Sequence, residues 1–404
     1  MLKVQKKQSY AIHFDTKSRK MNQKLIHSVK QSFQNHFEKK PLMVFSPGRI
    51  NLIGEHTDYN EGFVFPAAVD LGIVLAIQKS ASNRSCVYAL NKEEMYEIDL
   101  SNLAPLKDGG WRNYVLGVVG ELAKIGITVG NFDSVFAGNI PGGAGMSSSA
   151  ALENSFVFAL NELFDLQMEK KDMILISQKA EHNYVGVKCG IMDQYASMLG
   201  EKESALLLDC RSIKSQPFKI QLQNLQLVLV NTNVKHDLSE SAYNDRRNVC
   251  EKVARLLNIQ SLRDASESSL DRIKNQLSDS EYKKALYVLR ENKRVHLFSE
   301  AILNKDYTSM GKLLYETHEG LSKNYKVSCD ELDFLVEKTK SMDTVYGARM
   351  MGGGFGGCTI NLVLESAVDT FKTEISKQFL EEFSTPCSIY DVTISQGTHL
   401  ISDN

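Results

Sequence analysis

A strand-like segment, a glycine-rich loop and a helical segment follow one another directly in DSVFAGNIPGGAGMSSSAALENSF, and this succession constrains the fold most. Apolar periodicity predicts a helix over Ser147–Asp165. Three glycines within positions 142–145 let the backbone approach a ligand closely, and the N-terminus of a helix favours an anion. The segment predicts a phosphate site, with a tight turn and a serine cap as the alternative. It lacks the lysine of the GxxxxGK[ST] loop, so another residue must supply positive charge.

Strand-like and helical segments alternate along the 404 residues, which predicts an α and β architecture with two domains that share a cleft. The pattern starts again at ALLLDC from Ala205 and continues in a helical tract over about residues 240–340. It ends in a strand, a glycine turn, a strand, a helix over Val368–Phe383 and a last strand. We therefore predict domains at residues 20–204 and 205–404. The serine-rich stretch Ser266–Glu281 predicts a mobile surface loop.

The overall charge gives no attraction to nucleic acid or to anionic lipid, because the formal net charge is only -2. No stretch reaches the roughly 18 to 20 apolar residues of a membrane span. The seven cysteines are scattered without a metal-binding spacing, which favours reduced thiols and a cytoplasmic location. We expect a monomer that binds small molecules, neither nucleic acid nor membrane. The first twenty residues interrupt every apolar stretch with lysine, which predicts a disordered or loosely packed arm rather than a secretory signal.

The segment GRINLIGEHTDY, Gly48 to Tyr59, concentrates hydrogen-bonding side chains directly after an apolar strand. Glu55, His56 and Asp58 can accept or donate hydrogen bonds and would suit a polyhydroxylated neutral ligand. In an extended chain His56 and Asp58 point the same way, whereas Glu55 needs a bend, which Gly54 could provide. A solvated charged turn is the alternative interpretation.

A second glycine run, MGGGFGGCTINLV, matches the GxGxxG pattern of dinucleotide-binding proteins. That pattern must open a helix, but here an apolar, β-branched run beginning at Thr359 predicts a strand. A glycine turn between two strands is the better interpretation, either as the wall of a site or as a hairpin without a ligand.

Two acids lie twelve residues apart in AEHNYVGVKCGIMDQ, where Glu181 is on a predicted helix and Asp193 follows a turn at Gly190. Each could be an ordinary surface acid, although the apolar neighbours of Asp193 suggest partial enclosure. Trp111 is the only tryptophan and could anchor a helix in the core or stack on a ligand.

Taken in order, these segments resemble the GHMP kinases. PGGAGMSSSA resembles their second motif, which cradles ATP phosphates, and MGGGFGG resembles their third, which packs near the nucleotide. GRINLIGEHTDYNEG resembles the signature of the galactokinase family within that superfamily. The resemblance implies an α+β, two-domain GHMP kinase fold, with mixed sheets, helices packed on them and the active site in the cleft between the domains.

The resemblance also implies a role for particular residues. Asp193 would face the anomeric hydroxyl of a sugar, and Arg49 would lie beside the transferring phosphate as the catalytic pair. The residues implied in substrate binding are Glu55, His56, Thr57, Asp58, Gly190 and Tyr243. Those implied in ATP binding are Trp111, Gly143, Ala144, Gly145, Met146, Ser147, Ser148 and Ser149. Ser149 and Glu181 would hold Mg²⁺.

The activity implied is phosphoryl transfer from ATP to galactose, which gives galactose 1-phosphate and ADP at the entry to galactose breakdown. Two alternatives stay open at this point. The same residues could serve a kinase for a related sugar such as N-acetylgalactosamine, because the sequence does not measure the room in the pocket. A protein that binds galactose and ATP without catalysis is the other.

Overall fold

A computed structural model describes residues 22–38, 40–235 and 239–402 of the chain. The arm predicted for the first twenty residues lies outside this range. No helix in the described part of the chain combines the length and the apolar character that crossing a membrane requires.

The first half of the chain builds a mixed sheet with helices on both faces. Helices α2, α3 and α4 bury one face of this sheet in the largest apolar core, and α1 covers the other face. β4 and β6 run parallel and the other pairs are antiparallel, in the order β13-β1-β3-β6-β4-β5. The elements are α1 (22–37), β1 (Leu42–Asn51), β2 (Phe63–Val64), β3 (Pro66–Lys79), β4 (Ser85–Ala89), β5 (Glu94–Ile98), α2 (Trp111–Lys124), β6 (Phe132–Gly138), α3 (Ser148–Phe164), α4 (Lys170–Ala180) and α5 (Met192–Leu199).

The second half builds an antiparallel sheet in the order β10-β11-β9-β12, and helices cover it. A smaller sheet pairs β2 with β7 and β8. The elements are β7 (Ser204–Asp209), β8 (Lys214–Lys219), β9 (Leu225–Lys235), α6 (Ser239–Leu257), α7 (Glu267–Arg272), α8 (Asp279–Leu303), α9 (Tyr307–Glu319), α10 (Asp330–Thr339), β10 (Val345–Met350), β11 (Gly356–Leu364), α11 (Val368–Phe383), β12 (Ser388–Asp391) and β13 (His399–Leu400).

Strand pairing ties the two halves together. β2 belongs to the first half but pairs with β7, and β13 crosses back to pair with β1. The boundary predicted between residues 204 and 205 falls at the start of β7, and residues 399–400 lie in the first sheet. A simple cut of the chain therefore does not separate the sheets, and the domain limits stay a prediction.

The loop predicted over Ser266–Glu281 is wrong, because this stretch contains α7 and the start of α8. Its serines cap helices. The side chains of Ser266 and Ser278 each accept a hydrogen bond from a backbone N–H three residues later. The side chain of that later residue in turn accepts a hydrogen bond from the backbone N–H of the capping serine.

Candidate active site

The phosphate loop begins at Pro141, after β6, and ends in the first residues of α3 at Ser149. Gly143 and Gly145 have φ of +73° and +68°, in the region that favours glycine. Ser147 precedes α3 in a left-handed conformation, and its side chain does not cap the helix. Ala144 and Met146 are buried, whereas Gly143 and Ser148 are exposed. The serine-cap alternative is therefore wrong, and the Ser147 hydroxyl is available for another partner.

The second glycine run lies directly against the phosphate loop. A Cβ at Gly145 would stand 3.1 Å from the carbonyl oxygen of Met351, and one at Gly357 would stand 3.1 Å from that of Gly143. The run turns between β10 and β11, with no helix after it, as the sequence predicts. A side chain at either position would force the two loops slightly apart, so the glycines let the loops pack closely through their backbones.

Arg49 and Asp193 form a two-pronged ion pair beside the phosphate loop. The guanidinium Nε and Nη2 donate to Asp193 Oδ1 and Oδ2, each at 2.8 Å. Nη1 donates to the carbonyl oxygen of Gly145, and the Ser147 hydroxyl donates to Asp193 Oδ2. Arg49 comes from β1, where the pairing with β3 is irregular, and Asp193 from the first turn of α5. A neighbouring strand thus brings a guanidinium to the loop, which carries no cationic side chain of its own.

The signature segment makes a bend after β1. Gly54 has φ of +95°, so the bend expected there is present. Glu55 Oε1 accepts hydrogen bonds from Arg349 Nη2 at 3.0 Å and from the Gly352 backbone N–H at 2.9 Å. Arg349 is fully buried and also donates to the carbonyl oxygens of Leu52 and Met350, at 2.9 and 2.7 Å. The turn between β10 and β11 therefore orients the acid of the signature.

Asp58 lies against the turn that leads to α5. A Cβ at Gly190 would approach Asp58 Oδ2 to 2.0 Å, so only glycine fits there. Burial, with repulsion from Asp193 as a smaller cause, raises the pKa of Asp58 from 3.8 to about 7. The absence of a side chain at Gly190 thus leaves space for the Asp58 carboxyl group. A direct contact of Gly190 with a substrate stays a prediction.

The rings of His56 and Tyr243 lie close together beside the bend of the signature segment. Their rings are 5.5 Å apart, and Tyr59 lies 5.4 Å from Tyr243. The His56 Nδ1 lies 2.8 Å from the Tyr59 hydroxyl. Burial lowers the pKa of His56 to about 3, so the imidazole is neutral at physiological pH.

The Thr57 side chain serves the turn itself. Its hydroxyl lies 2.8 Å from the carbonyl oxygen of Gly54 and 2.6 Å from that of Phe63, so its single hydrogen is shared between them, and Thr57 is fully buried. It lies behind the cleft rather than on its wall, so contact of its side chain with a substrate stays a prediction.

Glu181 begins a π-helical turn, Glu181–Val185, that continues α4. Its Oε2 accepts a hydrogen bond from Gln194 Nε2 at 2.8 Å. Burial, followed by repulsion from Asp193, raises the pKa of Glu181 to about 7, and a hydrogen bond from Ser149 opposes the shift. A cation would relieve this repulsion, and carboxylate and hydroxyl oxygens suit Mg²⁺. No group of three or more His, Cys, Asp or Glu among the described residues could hold a metal, so phosphate oxygens or water would complete the coordination.

Trp111 opens α2 and lies outside this group. Its Nε1 donates to Glu94 Oε2 at 2.9 Å, and its ring packs against Phe136 and Tyr96, at 5.3 and 6.2 Å. The side chain joins α2 to β5 and β6. Contact with adenine stays a prediction.

The site residues meet in one cleft between the two halves of the chain. Those predicted from sequence that line it are Arg49, Glu55, His56, Asp58, Glu181, Asp193 and Tyr243. Cys189, Gly352 and Gly353 also line it. The sequence interpretation missed Arg349, whose only signal is its position shortly before the glycine run.

Known proteins resemble this chain in sequence and in fold. The galactokinase galactose-binding signature matches residues 31–79, and the N terminal and C terminal domains of GHMP kinases match residues 113–201 and 298–381. A galactokinase of Clostridium beijerinckii is 38% identical over 385 residues, which is 93% of this chain and 99% of the relative. The crystal structure of Lactococcus lactis galactokinase complexed with galactose superposes with a TM-score of 0.89 and 34% identity, covering 92% of this chain and 98% of that one.

The mevalonate kinase of Methanococcus jannaschii shares the fold alone, with a TM-score of 0.62 and 18% identity over 88% of this chain and 99% of that one. The fold and the cleft thus define an ATP-dependent sugar kinase of the GHMP class. Within that class, the chain belongs to the galactokinase family.

Proposed function

We propose that this chain transfers the γ-phosphate of ATP to the anomeric hydroxyl of α-D-galactose, giving galactose 1-phosphate and ADP. The observation that carries the proposal is the Arg49–Asp193 pair, which lies where the signature segment meets the phosphate loop. A cleft that places sugar-compatible side chains beside an anion-binding loop favours transfer between the two ligands.

The Asp193 carboxylate is held by Arg49 and Ser147 from fixed directions. It accepts the proton of the attacking hydroxyl as the phosphoryl group arrives, and the Arg49 guanidinium stabilises the charge that spreads over the phosphoryl oxygens. Because Arg49 and Ser147 fix the carboxylate within the folded chain, little reorganisation is needed when the substrates bind.

Ser149 and Glu181 are the residues that would hold Mg²⁺. A Mg²⁺ ion bound there would neutralise negative charge on the ATP phosphates. The exposed backbone of the phosphate loop and Ser148 would bind phosphate oxygens, and Trp111 would contact the base.

We also propose that the enzyme acts as a cytoplasmic monomer. All seven cysteines are free, as expected in a reducing compartment. Light scattering coupled to size-exclusion chromatography tests the oligomeric state.

A panel of sugars with ATP, followed by ADP release and by identification of the product, tests the proposed reaction. We expect galactose to give the highest kcat/KM, ahead of N-acetylgalactosamine and glucose. Faster turnover of another sugar would assign the enzyme to that sugar. Binding of galactose and ATP without turnover by the pure protein would identify a sensor.

A further inference from the structure

A chain of hydrogen-bonding side chains runs from the second half of the molecule to the signature segment. The Tyr59 hydroxyl lies 2.8 Å from His56 Nδ1 and 2.7 Å from the Tyr325 hydroxyl, which lies 3.4 Å from Cys250 Sγ. Tyr325 is fully buried and Cys250 is 2% exposed. We call Cys250, Tyr325, Tyr59 and His56 the hydroxyl chain.

The position of Tyr325 is fixed by its own surroundings. It ends a π-helical turn, Gly320–Tyr325, that continues α9. Arg246 of α6 donates to the carbonyl oxygens of Tyr325 and Lys326, at 2.9 and 2.7 Å. The Tyr325 ring lies 4.9 Å from the rings of both His56 and Tyr287. Its hydroxyl therefore has little freedom to turn away from Tyr59.

The donors in the hydroxyl chain favour one direction. Cys250, Tyr325 and Tyr59 each bring one hydrogen, and there are three gaps to bridge before the imidazole. If each donates towards His56, every gap is filled and Nδ1 is the final acceptor. In the opposite direction the chain ends on the Cys250 sulfur, which is a weak acceptor. Because His56 is neutral, an accepting Nδ1 places the single ring proton on Nε2.

The His56 Nε2 faces a different situation. It is buried and makes no hydrogen bond of normal geometry among the described residues, although the backbone of Gly353, which lines the same cleft, lies close enough to the ring to oppose the fall in its pKa. A network that served only to satisfy buried groups would give each ring nitrogen a well-aligned partner. We propose that the hydroxyl chain holds His56 as an Nε2–H donor to a hydroxyl oxygen of the sugar, with Tyr59 and Tyr325 as positioning residues. This inference rests on the proposed function, because it takes a sugar as the ligand.

The tautomer can be measured directly in the ligand-free protein. Two-bond ¹H–¹⁵N correlation spectra of ¹⁵N-histidine-labelled protein, with the His56 ring assigned by its loss in His56→Gln, show which nitrogen carries the proton. We expect the proton on Nε2 in the wild type and a mixture of both tautomers in Tyr59→Phe and Tyr325→Phe. In Tyr315→Phe, whose hydroxyl contacts Thr339 instead, we expect the wild-type pattern. A proton on Nδ1 in the wild type, or an unchanged pattern in both active variants, would overturn the proposal.

Kinetics separate a positioning role from a structural one. We expect Tyr59→Phe and Tyr325→Phe to raise KM for galactose about tenfold, the usual effect of one lost hydrogen bond. We expect kcat and KM for ATP to change less than about threefold, and Tyr315→Phe to match the wild type. Among the monodeoxygalactoses, one should show a penalty in the wild type that shrinks in Tyr59→Phe, and it identifies the hydroxyl bound by Nε2.

Equal penalties for every deoxy sugar in wild type and variant would contradict the proposed contact. If Tyr59→Phe fails to fold, Tyr325→Phe gives the same test from one step further along the chain. If the wild type does not phosphorylate galactose, the proposed function fails, while the spectra still decide the tautomer.

Discussion

Asp193 is held by three hydrogen bonds from two side chains. Both of its oxygens accept from Arg49, and one also accepts from Ser147. A carboxylate fixed in this way keeps one geometry while substrates enter and leave, which is what phosphoryl transfer requires of a group that must meet an in-line hydroxyl. Changes at Arg49 or Ser147 would therefore also alter the geometry of Asp193.

Replacing Asp193 by Asn tests its role at the level of one atom. Asn cannot accept the hydroxyl proton, so we expect kcat to fall by a factor of about 10³ or more. The Kd for ATP, measured by calorimetry, should change less than about threefold, because the phosphate loop is intact. Asp391→Asn is a matched control, since Asp391 pairs with Lys372 on the far sheet. Near-wild-type turnover by Asp193→Asn would rule out the role proposed for this carboxylate.

Asp58 predicts a dependence of stability on pH. Its pKa is raised from 3.8 to about 7 in the folded protein, mainly by burial, so the folded state binds this proton more tightly than the unfolded state does. The resulting stabilisation is complete below about pH 4 and is lost as pH rises through 7. Asn does not titrate, so the free energy of unfolding of Asp58→Asn should rise by about 2 kcal/mol relative to that of the wild type when the pH is raised from 5 to 8. Urea unfolding of both proteins at pH 5 and at pH 8 measures this change. The same difference between variant and wild type at both pH values would contradict the raised pKa.

Sequence reasoning located residues that carry their own signal. Glu55, His56 and Asp58 stand in one dense polar segment, and Asp193 stands in another. Arg349 and Tyr325 could not be found in this way, because each acts on a residue more than 260 positions away in the chain. Their roles exist only once the second half folds against the first.

At the scale of elements, the site depends on two glycine loops that touch. Gly143 and Gly145 of the first loop meet Gly357 and Met351 of the second through backbone atoms. The loops come from different sheets, and their contact sets the distance between the phosphate-binding backbone and the wall of the sugar cleft.

Gly145→Ala tests this contact. The new Cβ would stand 3.1 Å from the Met351 carbonyl oxygen, in a backbone conformation that disfavours alanine, so we expect a loss of about 1–2 kcal/mol in stability and a rise in KM for ATP of about tenfold. Gly126→Ala is the matched control, because Gly126 has φ of +82° with open space around it. It should lose similar stability and keep the wild-type KM for ATP. A normal KM in Gly145→Ala would show that the loop tolerates separation.

Elements with one strong periodicity were predicted well from sequence. The helix predicted over Val368–Phe383 is α11, with the same ends. The loop prediction for Ser266–Glu281 was wrong because serine is common both in loops and at helix caps. Only the capping boxes, in which Ser269 and Glu281 accept from the backbone of the capping serines, distinguish the two. Strand pairing across the halves, such as β2 with β7, had no signal in either segment alone.

At the scale of the whole molecule, Arg349 joins the halves at the sugar site. It is a buried charge whose partners are Glu55 and backbone carbonyl oxygens of the signature segment. β10 therefore carries Arg349, which fixes Glu55, and leads directly into the glycine turn that packs on the phosphate loop.

Arg349→Met should uncouple the halves around Glu55. Loss of Arg349 leaves the buried Glu55 carboxylate without a positively charged partner, so we expect the free energy of unfolding to fall by about 3–5 kcal/mol. KM for galactose should rise more than about tenfold, while the Kd for ATP serves as the internal control and changes much less. Urea unfolding and steady-state kinetics measure both effects. Equal losses of galactose and ATP affinity would indicate general unfolding instead of a specific tie.

The return of β13 to the first sheet has a consequence for biosynthesis. β13 pairs Leu400 with Val44 of β1, and β1 carries Arg49 a few residues further on. About 350 residues are translated between β1 and β13, so β1 keeps an open edge throughout that part of synthesis. The first sheet is completed only after β13 has left the ribosome, and the nascent enzyme must be protected from edge-to-edge association until then.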